Sequence, residues 1–135
     1  MLRACRELLK PGGRLAFYTI YIPAGLSPDV YERAKQAGPR AAGTPEGHQA
    51  MLRSAGFADV REIDVTAQYL ATIRALLSSR ERHARALRRE AGADEYERRV
   101  SENREAASAI EARLLHRSLF IASRGRRPPP AKPPL

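Results

Sequence analysis

At 135 residues, 43% of them apolar and 29% charged, the chain has room for one modest domain and holds no apolar run near the ~20 residues that a membrane-spanning helix needs. Its single cysteine, Cys5, excludes an internal disulfide and a cysteine-based metal site, and Arg3, Arg6 and Glu7 at the start exclude a signal peptide, so the cytoplasm is the expected compartment. The positive charge behind the formal +9 is nearly all arginine, much of it interleaved with glutamate on helices and some in the terminal tail, without stacking aromatics among the basic residues, so a solvated helical face is expected and a nucleic-acid partner is not.

Leu2, Cys5, Leu8 and Leu9 recur at helical spacing and predict a helix over residues 1 to 9, with Cys5 buried on its apolar face and inert. Lys10 suits the negative end of that helix. Pro11 stops it, and Gly12 or Gly13 can adopt the positive φ of a reversal. Leu15 to Ile22 is a nearly continuous apolar run with aromatic and branched residues, which predicts a strand buried on both faces.

Next comes a Gly/Pro/Ala-rich stretch, 23–47. Ser27-Pro28-Asp29 predicts a helix from Pro28 to about Gln36, with Ser27 as N-cap, ended by Gly38-Pro39. Thr44-Pro45 repeats the logic for a helix running to Ser54, with Met51 and Leu52 inward. Gly56 is placed to end it in a left-handed conformation, and Phe57 supplies the hydrophobic contact that often comes next. Val60, Ile63 and Val65 then predict a strand over 60–66.

Residues 67 to 114 predict a pair of long amphipathic helices. Tyr69, Leu70, Ile73, Leu76, Leu77, Ala84 and Leu87 form one stripe, which Gly92 stops. Asp94 is the expected cap of the second helix, whose stripe is Tyr96, Val100, Ala107, Ile110 and Leu114. Leu115 to Ser123 returns to strand character. Arg124 to Leu135 is a basic, Pro-rich tail expected to be disordered, and its PxxP at 130–133 is read as chance.

Two strings in this order carry a resemblance: Arg6-Glu7-Leu8-Leu9-Lys10-Pro11-Gly12-Gly13-Arg14-Leu15-Ala16-Phe17, and Met51-Leu52-Arg53-Ser54-Ala55-Gly56-Phe57 followed by a β run. They resemble the helix–turn–strand units that lead into the fifth and sixth strands of class I S-adenosylmethionine-dependent methyltransferases. The resemblance covers about residues 1 to 66 and 115 to 123. It implies a partial Rossmann-like α/β fold: a three-stranded mixed sheet with the last strand antiparallel in the middle, flanking helices, and 67–114 as an inserted helical pair. Residues 1 to 123 would then be the C-terminal part of one domain. The family joins its sixth and seventh strands by a short connection, so the insertion departs from the pattern. The expectation is a truncated protein lacking the cofactor-binding half, with Met1 an internal methionine of a longer frame as one alternative.

The chemistry the family needs is a glycine-rich loop at a helix N-terminus and a carboxylate for the ribose. The sequence holds neither, and Gly12-Gly13 follows a helix C-terminus, the wrong end of the dipole for an anion. No catalytic, cofactor-binding or metal-ligating residue is assigned, and S-adenosylmethionine is not expected to bind tightly to this chain. His48, His83 and His116 lack metal-ligand spacing and are read as structural or solvated. Because the loop after the fifth strand can line the acceptor pocket in the family, Tyr18, Thr19, Tyr21 and His48 are the candidates for substrate contact, with strand packing the competing role of the tyrosines. The implied substrate is a small molecule. The alternative function is non-catalytic assembly, through the sheet edge and the helix stripes, with a missing half or a second copy as partner.

Overall fold

A computed structural model describes residues 1–43 and 47–126. The expected Thr44-Pro45 cap, residues 127–135 of the tail and the PxxP string lie outside the described residues. The elements in chain order are α1 (Leu2–Leu8), β1 (Arg14–Tyr21), α2 (Pro28–Ala37), α3 (His48–Ser54), β2 (Ala58–Asp64), α4 (Thr66–Arg82), α5 (Ala84–Ala91), α6 (Ala93–Glu111) and β3 (His116–Ser123). The three strands form one sheet in the order β1-β3-β2. β3 runs antiparallel to its neighbours: Arg124 N–H donates to Gly13 C=O at one end of β1, and Val65 N–H to Arg117 C=O past the end of β2. This is the expected architecture, with the last strand in the middle.

The chain divides into two compact units, Met1–Tyr18, Glu46–Ile63 and Leu119–Leu135 in unit 1, Thr19–Pro45 and Asp64–Ser118 in unit 2. The core of unit 1 is Leu52, Phe57, Phe120 and Ala122, with Leu2, Leu9, Leu15, Phe17 and Val60 packed on it. The rings of Phe17 and Phe120 stack with centroids 5.5 Å apart. In unit 2 the core is Ile22, Ala34, Ala42, Tyr69, Ala109, Ile110 and Leu115, to which Ile20, Leu26, Leu70 and Ile73 add. Alanines dominate where α6 packs, because small side chains let helices approach closely.

Several local expectations change. At 3.6 residues per turn Leu2 and Leu9 fall almost in line, Cys5 about 60° aside and Leu8 about 120° aside. Accordingly Leu2 and Leu9 pack into the core, Cys5 is half-buried rather than buried, and Leu8 is 87% exposed. β1 is not buried on both faces. Ala16 and Tyr18 are exposed and Phe17 between them half-buried, because successive side chains point to opposite faces and the face of Ala16 and Tyr18 is left uncovered. β2 covers 58–64 rather than 60–66: the Asp64 carboxylate accepts the Thr66 N–H at 2.8 Å and turns the chain into α4. Its Ile63 is exposed.

The helical segment is three helices, not two. The backbone of His83 (φ −105°, ψ 20°) leaves the helical region and separates α4 from α5, so His83 links two helices. Gly92 (φ 89°), not Asp94, is the N-cap of α6, and Asp94 sits in the first turn, where its charge complements the helix dipole.

Other signals hold. Ser27 Oγ accepts the Val30 N–H and Pro28 opens α2. Gly12 makes the first reversal with φ 76°. α3 ends in a Schellman motif: Phe57 N–H bonds Leu52 C=O, Gly56 N–H bonds Arg53 C=O, and Gly56 has φ 89°. In β3 the alternate residues Ser118, Phe120 and Ala122 are buried, as a central strand requires. Among the described residues no helix is long and apolar enough to cross a membrane.

Candidate functional site

In open α/β sheets ligands bind outside the carboxyl ends of the parallel strands. Here β1 and β2 point the same way and β3 the opposite way, so the residues at that end are the last of β1, the last of β2 and the first of β3. All belong to unit 2: Thr19–Tyr21, Asp64, and His116–Ser118.

They form a polar group. The rings of Tyr21 and His116 stack with centroids 5.7 Å apart and planes 28° apart. The Tyr21 hydroxyl and Ser118 Oγ are 3.4 Å apart, each able to donate to the other. Ser118 is fully buried in the central strand, so it supports Tyr21 rather than meeting a ligand. The hydrogen bonds from Thr66 hold the Asp64 carboxyl below its usual range, with a smaller contribution from His116. Thr66 also ties α4 to β3: Arg117 N–H donates to Thr66 Oγ1 at 3.1 Å. The guanidinium of Arg117 lies 5.6 Å from the centre of the Tyr69 ring, and burial pushes the Tyr69 phenol up, against the opposing effect of Arg117. Phenol, imidazole and carboxylate can orient a polar ligand and exchange hydrogen bonds with it.

The sequence candidates divide between the units. Thr19 and Tyr21 lie in unit 2 and Tyr18 and His48 in unit 1. Tyr18 is 56% exposed on β1. His48 opens α3 and packs against Phe120, with ring centroids 5.2 Å apart. Burial lowers the pKa of His48 and the Glu62 carboxylate opposes the shift; Glu62 in turn accepts from Gln49 Nε2 at 2.8 Å. His116, Asp64, Tyr69 and Arg117 were not among the candidates. The i, i+2 spacing of His116 and Ser118 on a strand placed both on one face. Tyr69 read as part of the α4 apolar stripe, which it also is. Among the described residues no three His, Cys, Asp or Glu side chains gather as a metal site.

No protein-family model and no curated protein matches the chain. Solved structures do. A phosphoethanolamine N-methyltransferase 2 of Haemonchus contortus, in complex with phosphomonomethylethanolamine and S-adenosylhomocysteine, superposes with a TM-score of 0.78 at 17% identity, over 93% of this chain and 29% of that one. A cyclopropane synthase of Mycobacterium tuberculosis superposes with a TM-score of 0.77 at 15% identity, over 90% of this chain and 48% of that one. The chain thus spans between 29% and 50% of the length of such structures. With the strand order, these superpositions show that the chain shares the α/β fold of part of these solved structures.

Proposed function

We propose that these residues form the acceptor-side part of an S-adenosylmethionine-dependent methyltransferase acting on a small molecule, and that the 135 residues alone neither hold the cofactor tightly nor turn over. The observation that supports the reading most is the place of β3, antiparallel between β1 and β2, in a chain that superposes almost throughout on methyltransferase structures. The polar group of Tyr21, His116 and Asp64 stands where such a sheet receives its ligand. These side chains would orient the acceptor, and alignment of acceptor and methyl group supplies much of the rate in a reaction of this kind. The cofactor's sulfonium supplies the methyl group. The residues present offer no glycine-rich loop at a helix N-terminus to hold it.

Calorimetric titration with S-adenosylmethionine tests both halves of the proposal. The 135-residue protein is expected to show no tight binding. A chimera joining its N-terminus to the cofactor-binding half of a structural neighbour is expected to bind. Micromolar binding by the 135 residues alone overturns the division of labour, and a folded chimera that binds nothing overturns the methyltransferase reading.

One observation favours a second, non-catalytic reading. β1 is an edge strand, and its residues 15–21 carry no charge. Such an edge can pair with another strand, from a second copy or a separate half. Sedimentation at high protein concentration is expected to show association that Ala16→Lys reduces. A monomer unaffected by that substitution removes this reading.

A further inference from the structure

Unit 2 holds a cleft of about 350 Å³ among the loop after α2, α4 and α6, within the roughly 300–1,000 Å³ of small-molecule sites. Tyr69 and Ile73 give it an apolar wall. Its charged residues differ in their commitments. Glu102 is already bound by Arg98. The side chains of Arg40 and Glu105, both exposed, make no hydrogen bond or ion pair with any described residue. Asn103, in the same lining, has a buried Oδ1 that no donor among the described residues reaches.

A guanidinium forks onto a carboxylate or phosphate, and a carboxylate attracts an ammonium. A ligand with one charge leaves either Arg40 or Glu105 unanswered. A ligand with both charges answers the two together and lays its carbon skeleton on Tyr69 and Ile73. We propose that this cleft binds a small zwitterion, its ammonium on Glu105 and its carboxylate or phosphate on Arg40. Tyr21, His116 and Asp64 are not among the residues that line it, so the cleft is a site apart from the acceptor-side group and does not rest on the methyltransferase reading. The binding itself needs no cofactor and is measured without one.

The test is an NMR titration of the full 135-residue chain with glycine and with phosphoethanolamine, and with ethanolamine and inorganic phosphate as singly charged controls. One of the two zwitterions is expected to bind about tenfold more tightly than either control, with saturable shifts at Tyr69 and Ile73. Which zwitterion binds distinguishes a carboxylate from a phosphate ligand. Arg40→Gln and Glu105→Gln are each expected to weaken binding about tenfold while the rest of the spectrum stays that of the folded chain. A neighbouring cleft is lined by Arg33 and Glu105, so Arg33→Gln is the positional control and is expected to change nothing. Absence of saturable binding, equal binding of the singly charged probes, or loss of binding on Arg33→Gln overturns the proposal.

Discussion

Unit 1 and unit 2 each end a helix with the same hydrogen-bond pattern, built on different residues. In unit 1, α3 closes with Gly56 at φ 89°. In unit 2, α6 closes with Arg113 at φ 60°, where Arg113 N–H bonds Ile110 C=O and Leu114 N–H bonds Ala109 C=O. Glycine adopts this conformation freely, whereas a side chain with a Cβ is strained by roughly 1–2 kcal/mol. The turn after α6 therefore persists because the next two residues are anchored: Leu114 packs on the unit 2 core and Leu115 is wholly buried. A motif held by a residue's own preference can be read from sequence. One held by its surroundings cannot.

The largest expected effects lie at the residues that anchor each turn. Phe57→Ala should destabilise the protein by about 3–5 kcal/mol and Leu115→Ala by about 2–5 kcal/mol, measured by denaturant unfolding. A loss near zero for Leu115→Ala would mean that burial does not hold the strained turn. Gly56→Ala comes next, at about 1–2 kcal/mol from the backbone alone. Its new Cβ would also lie 3.1 Å from Arg6 Nε, which donates to Gly56 C=O at 2.8 Å. Arg113→Gly should do the opposite and stabilise by about 1 kcal/mol, since it relieves a left-handed non-glycine residue. If it destabilises, the arginine side chain has a role beyond the turn.

The smallest effects concern pH, and again the two units differ. In unit 1, burial holds His48 neutral, with its folded pKa below the unfolded value near 6.5. The folded state then binds fewer protons, so the contribution is present above pH 6.5 and declines as pH falls toward the folded value. His48→Gln should flatten stability in that window. In unit 2, Asp64 is depressed from 3.8 by its Thr66 hydrogen bonds, so its contribution is lost only at more acidic pH. Asp64→Asn should leave the region near pH 6 unchanged and flatten the acid limb below about pH 4. Both are read from unfolding free energies across pH, and an exchange of the two windows would contradict the assigned environments.

The amino-acid sequence by itself determined the elements whose signals are local. Ser27-Pro28 starts α2, Pro11 and Gly12 make the first reversal, Gly56-Phe57 closes α3, and the run at 116–123 forms a strand. Each depends on φ preference, a missing N–H, or apolar periodicity within a few residues. The candidate site was legible only in Tyr21 and Thr19. His116 looked like an isolated histidine until β3 lay against β1 and brought its ring to Tyr21. Arg40 and Glu105 are 65 positions apart in sequence, and only the packing of helices sets them in one cleft. Tertiary structure likewise decided how far β1 is covered and that Arg113 bears a glycine's conformation. Those outcomes depend on free energies of burial and pairing between distant segments, which no local pattern contains.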